Sequence, residues 1–133
     1  MERCDLAVER KHQLGCNCCQ AVLLEFAPEI SSGFGLDAES LMRLGSGFGS
    51  GMGSMEASCG ALVGAGMAVG MLSDGKVPTV LKTRAMSAEF KALVGAVRCA
   101  DIKGVKTKKV LCSCDNCVRY AVQIAERNID QIK

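Results

Sequence analysis

The sequence has no tryptophan, a single tyrosine, one histidine and two prolines in 133 residues. With aromatics at 4%, a core must be built from small aliphatic pieces. Scarce proline argues against a disordered or Pro-rich linker chain. A lone histidine leaves no Ser/His/Asp arrangement to argue for. No uninterrupted apolar run reaches the roughly 18 residues of a membrane span. The longest uncharged stretches, Leu44–Met55 and Ala57–Ser73, are broken by glycine and serine. A net charge of +2 excludes the strongly basic profile of a dedicated nucleic-acid binder. The opening Met1-Glu2-Arg3-Cys4-Asp5 has neither the basic nor the apolar region of a secretory signal, so the expected compartment is the cytoplasm.

What is abundant is cysteine, with nine residues, and glycine, with fifteen. In a reducing compartment stable disulfides are rare, so clustered cysteine points to metal binding or redox chemistry. An odd count also prevents complete intramolecular pairing. Charge is divided unevenly. Residues 1–66 carry 4 basic and 8 acidic side chains, and residues 67–133 carry 12 and 6. The basic excess peaks over Arg98–Lys109, where positive charge beside cysteines favours thiolate and steers anionic partners.

Hydrophobic spacing predicts a single all-α domain over residues 1–133, a compact bundle of five or six helices with one Gly-rich loop. A polar helix over 2–13 ends at Gly15. Asn17 caps a helix over Cys18–Phe26, which Pro28 and Ser31-Ser32-Gly33 stop. Asp37 caps Ala38–Leu44, and Gly45–Ser54 reads as a loop. Met55–Leu72 carries Gly60-x-x-x-Gly64 and Gly66-x-x-x-Gly70, a flat face that lets a neighbouring backbone approach closely. That face also makes a homodimer one expected arrangement. A helix over Val80–Val97 offers Leu81, Met86, Phe90, Leu93 and Val97 to the core. Residues 100–111 read as a basic loop, and Asp115–Ile132 as the last helix, with Val118, Val122, Ala125 and Ile129 in register.

Two Cys-x-x-Cys units carry the chemistry: Cys16-Asn17-Cys18-Cys19 and Cys114-Asp115-Asn116-Cys117, the latter preceded by Cys112. At a helix start such spacing aims two sulfurs at one metal, and the helix N-terminus stabilises thiolate. Buried free cysteine acting as a small hydrophobe is the plain alternative. A thioredoxin-like pair is disfavoured, because that motif sits beside a βαβ pattern absent here. Gly70-x-x-x-x-Gly75-Lys76-Val77 lacks the Ser or Thr of a phosphate loop. His12, four residues before Cys16, is a minor ligand candidate. Met52, Met55, Met67 and Met71 read as packing, with copper binding a lesser option.

Cys59-Gly60-Ala61-Leu62-Val63-Gly64 is a full Cys-Gly-Ala-x-x-Gly match. Asn17-Cys18-Cys19-Gln20-Ala21-Val22 matches an Asn-Cys-Ala-Gln-Ala-Val element, with Cys19 at the usual alanine. Cys99-x-x-Ile102-x-Gly104 and Cys117 complete the set. Over roughly residues 10–130 the chain resembles the small bacterial and archaeal C_GCAxxG_C_C family. The resemblance implies a helical domain with Cys18, Cys59, Cys99 and Cys117 at a redox or metal centre. A related module in split-Soret cytochromes carries an iron–sulfur centre. This chain has no Cys-x-x-Cys-His, so haem attachment does not carry over. Cys4, Cys16, Cys19, Cys112 and Cys114 go beyond the family set.

The expectation is therefore an iron–sulfur cluster, [2Fe–2S] or [4Fe–4S], held by Cys18, Cys59, Cys99 and Cys117. Cys16, Cys19, Cys112 and Cys114 are candidates for a second metal centre. The expected role is electron transfer or cluster handling with a redox partner protein, with no nucleic acid and no membrane span. Whether any reaction is catalysed stays open. The rival readings are a metal-free thiol–disulfide oxidoreductase, using Cys16/Cys19 or Cys114/Cys117, and a zinc or copper binding and delivery protein.

Overall fold

A computed structural model describes residues 1–132; Lys133, the last residue of the expected domain, lies outside them. Among the described residues there are eight α-helices and no strand. They are α1 (Arg3–Leu14), α2 (Cys18–Glu25), α3 (Ala27–Phe34), α4 (Ala38–Gly45), α5 (Gly60–Leu72), α6 (Thr79–Val94), α7 (Cys99–Lys103) and α8 (Cys114–Ile132). The all-α class holds, with more helices than the five or six expected. None is long and apolar enough to cross a membrane.

Capping explains most boundaries. Gly15 ends α1 in the left-handed conformation. The Asn17 side chain accepts from the Gln20 N–H while Gln20 reaches back to the Asn17 N–H, a full capping box for α2. Asp37 caps α4 through the Ser40 N–H at 2.8 Å. The two unforeseen helices have equally local causes. Pro28 does not stop α2; it lies in the first turn of α3, where its missing N–H goes unused. Buried Phe26 serves both helices, donating to Leu23 and accepting from Ile30. α7 is a single short helix, closed by Gly104 at φ +71°.

The Gly-rich stretch expected as a loop is instead wound into two tight turns. Ser46–Phe48 forms a 3₁₀ turn and Gly51–Met55 a π turn, with Met55 N–H donating to the Ser50 carbonyl at 2.9 Å. Gly51 is required there. Its φ is +56°, and an added Cβ would come within 2.7 Å of the Cys99 Cβ.

α5 packs chiefly against α2 and α8, which also touch each other and α1. The Cys-Gly-Ala-x-x-Gly motif makes this contact close. A Cβ at Gly64 would stand 2.7 Å from the Cys19 carbonyl oxygen, and one at Gly60 2.6 Å from that of Phe48. Gly66 and Gly70 meet no such crowding. The small-residue face of α5, including Ala61, Ala65 and Ala68, is buried inside the chain. α5 starts five residues later than expected, because Ala57–Cys59 is extended. There Ser58 pairs antiparallel with Arg98 in an isolated bridge.

Val118, Val122, Ala125 and Ile129 form the core face of α8 as their spacing predicts. In α6 the buried positions are Met86, Phe90 and Val94. Leu81 and Leu93 are exposed, contrary to expectation, because only one edge of α6 meets α8 and α5. Val97 lies past the end of α6, half-buried beside the bridge. A buried carboxylate, Glu25, ties α1 to α2 by accepting from Arg10 at 2.7 Å and pairing with Arg3 at 3.5 Å. Arg3 also stacks over Phe26, 4.4 Å from the ring centre.

Candidate functional site

Four helix N-termini converge on one cavity of about 250 Å³. Cys18 opens α2, Cys59 caps α5, Cys99 opens α7 and Cys114 opens α8, and all four line it. The isolated bridge sets two of them side by side. The Cys59 N–H donates to Val97 at 2.8 Å, and the Cys99 N–H donates to Ala57 at 3.0 Å. The capping box fixes Cys18, and the close α2–α5 approach brings it to Cys59. Lys11 and Lys103 also face the cavity.

The thiols associate in pairs across helices. Cys18 and Cys114 are neighbours close enough to shift each other, as are Cys59 and Cys117, with Cys112 beside Cys117. Within each pair the contact lowers one sulfur and raises the other. Cys114 is lowered by the Cys18 thiol and then by the Lys103 ammonium, which donates to it. Cys18 is raised by the same contact and by burial. Cys59 is lowered by the Cys117 thiol, helped by the Ala61 and Leu62 N–H groups, which point at the sulfur without reaching capping geometry. Cys117 is raised in turn by Cys59 and by burial. Burial and neighbouring Cys59 raise Cys99.

The other expected ligands lie elsewhere. Cys16 is buried, with its thiol 4.0 Å from the Arg10 carbonyl oxygen. Cys19 is fully buried against Met67, 3.9 Å between sulfurs, and burial pushes it up to about 11. Neither lines the cavity. Cys117 stands behind Cys59 and does not line the cavity wall.

His12 is held by Asp115, with Nε2 2.8 Å from Oδ2, and Lys11 grips the other oxygen at 2.9 Å. This clamp joins α1 to the first turn of α8 beside Cys114 and holds the Asp115 carboxyl below its usual range, His12 first. Lys11 is a site residue that sequence reading passed over, and Met55, read as packing, also lines the cavity. Lys11 stands less than two helical turns before Cys16, in a run that reads as plain polar helix.

Among the described residues, only Glu2, Cys4 and Asp5 bring three ligand atoms within 4.8 Å of one another. The cavity thiols are spread more widely. Their chemistry fits a thiolate-bound group: soft sulfur donors around one enclosed space, with two ammonium groups to offset negative charge. A larger apolar recess, about 410 Å³ between α5 and α6, contains no thiol.

The family model described as "Putative redox-active protein (C_GCAxxG_C_C)" matches residues 16–128. The chain belongs to this family. No curated protein and no solved structure matches it. In this C_GCAxxG_C_C protein the named motif has a physical meaning. Its cysteine faces the cavity, and its two glycines let α5 come close enough to α2 to hold it there.

Proposed function

We propose that the cysteine-lined cavity is a redox centre binding an iron–sulfur cluster, [2Fe–2S] or [4Fe–4S], through Cys18, Cys59, Cys99 and Cys117. The convergence of Cys18, Cys59 and Cys99 on one cavity, with Cys117 directly behind Cys59, carries this reading. When bound, such a cluster supplies one-electron storage. The chain's own groups do the rest. The capping box holds Cys18, and the Ser58–Arg98 bridge holds Cys59 and Cys99. Lys11 and Lys103 balance the charge of thiolates and cluster sulfide. Exposed Lys106, Lys108 and Lys109 beside α7 suit an acidic redox partner protein.

The test is a visible spectrum with iron, sulfide, zinc and copper analysis on protein purified without oxygen. Brown protein with iron and acid-labile sulfide, lost in Cys59→Ser, is the expected result. Colourless protein containing zinc or copper, or iron content unchanged in Cys59→Ser, overturns it. A second reading, a metal-free dithiol redox protein, is favoured by the cross-helix thiol pairs. It predicts a colourless chain that takes up no iron on reconstitution.

A further inference from the structure

Sequence spacing offers Cys16/Cys19 and Cys114/Cys117 as dithiols, but the fold pairs sulfurs differently. Cys114, on the first turn of α8, and Cys18, on the first turn of α2, line the same cavity wall. The motif partner of Cys114, Cys117, is buried behind Cys59 and does not line the cavity. Cys114 is additional to the four cysteines of the family motif. Both members of the pair are half-buried, whereas Cys59, Cys99 and Cys117 are fully buried. Both line the cavity, together with Lys11 and Lys103, and the Lys103 ammonium donates to the Cys114 sulfur. The Lys103 ammonium beside this thiol pair, with Lys11 shared with Asp115 on the same wall, suits a molecule carrying carboxylates and a disulfide.

We propose that Cys18 and Cys114 are an exchange pair that reduces small anionic disulfides, and that closing the pair withdraws Cys18 from cluster binding. The inference rests on the redox reading of the cavity and concerns the cluster-free chain. In the first step the Cys114 sulfur attacks one substrate sulfur. A Cys114–substrate S–S bond forms, the substrate's own S–S bond breaks, and one half leaves as thiolate. In the second step the Cys18 sulfur attacks the Cys114 sulfur. The Cys18–Cys114 disulfide forms, and the other half leaves. The two protein thiol protons go to the two departing thiolates. The protein loses two electrons, and the substrate disulfide gains them.

The experiment treats the reduced, full-length chain, freed of iron by chelation, with oxidised glutathione under nitrogen. Mass spectrometry then locates each new S–S bond. The expected product is a Cys18–Cys114 disulfide with two reduced glutathiones released. Cys18→Ser is expected to stop at a glutathione mixed disulfide on Cys114. Cys114→Ser should slow the reaction by about tenfold or more. Lys103→Met should raise the glutathione disulfide needed for half-maximal rate, while Cys4→Ser should change nothing. A first disulfide at Cys114–Cys117 or Cys16–Cys19, or no adduct on Cys114 in Cys18→Ser, overturns the proposal. If circular dichroism shows a variant unfolded, the wild-type bond map decides alone. Iron and sulfide content is read separately on the anaerobically purified chain. Exchange without any iron uptake sinks the cluster reading and the withdrawal of Cys18 with it but leaves the exchange pair standing, and iron uptake without exchange sinks the exchange pair only.

Discussion

The two Cys-x-x-Cys units share a spacing and nothing else. Cys114–Cys117 is the first turn of a 19-residue helix whose start faces the cavity, so its sulfurs meet Cys18 and Cys59. Cys16–Cys19 straddles the break between α1 and α2. Only Cys18, between its two ends, faces the cavity; Cys16 packs under Arg10 and Cys19 under Met67. Spacing in sequence fixes which sulfurs share a helix face. It does not fix what that face meets. Tertiary packing decides whether a cysteine is a ligand, a redox thiol or a small hydrophobe.

The sharpest way to break this comparison is to remove each unit in turn. Cys114→Ser with Cys117→Ser is expected to cut bound iron by about tenfold or more in anaerobically purified protein. Cys16→Ser with Cys19→Ser should retain it, provided the fold survives; the reverse pattern would invert the comparison. Next in size is Gly64→Val, which pushes α2 off α5 at the Cys19 carbonyl. It should cost about 3 kcal/mol, the upper range for overpacking, read by urea unfolding. Cys19→Ala tests the claim that Cys19 is core alone. It should lose about 1 kcal/mol of stability and no iron. The smallest effect concerns the clamp beside Cys114. The Asp115 carboxyl is lower in the folded chain than unfolded. Its stabilisation is therefore complete above the ordinary carboxylate range and lost as pH falls through the folded value. Asp115→Asn should cost under about 1 kcal/mol at neutral pH and flatten the acid limb of a urea-midpoint profile.

Much of the fold is legible where a local signal decides. Asn17, Asp37 and Gly15 mark helix ends through their own hydrogen bonds and dihedrals. The α8 stripe follows from one clean period. The misreadings arise where a residue has two uses. Pro28 stops helices in their interior and starts them at the first turn, and only buried Phe26 shows which applies. Leu81 and Leu93 fit a helical face, but α6 is a peripheral helix whose core edge is narrower than its apolar content. Glycines at 45–54 read as loop because propensity ignores the contacts, such as Gly51 against Cys99, that hold those turns.

The site divides in the same way. That cysteine is concentrated in two windows is visible in the sequence, and so is positive charge nearby. The pairing of Cys18 with Cys114 is not, because it depends on how α2, α5 and α8 pack. The partnership of Cys59 with Cys99 depends on a bridge of one residue pair, too short to leave an alternating pattern. Lys103 belongs to a visible basic run, yet only the fold distinguishes it from exposed Lys106, Lys108 and Lys109.

The most direct test is the iron and acid-labile sulfide content of the nine single Cys→Ser variants of the full-length chain, each purified without oxygen and checked for its helical circular dichroism. Iron should fall sharply in Cys18→Ser, Cys59→Ser, Cys99→Ser and Cys117→Ser. Cys4→Ser, Cys16→Ser and Cys19→Ser should keep it. Loss concentrated at Cys16 and Cys19, or no loss in any of the four proposed-ligand variants, would contradict the account.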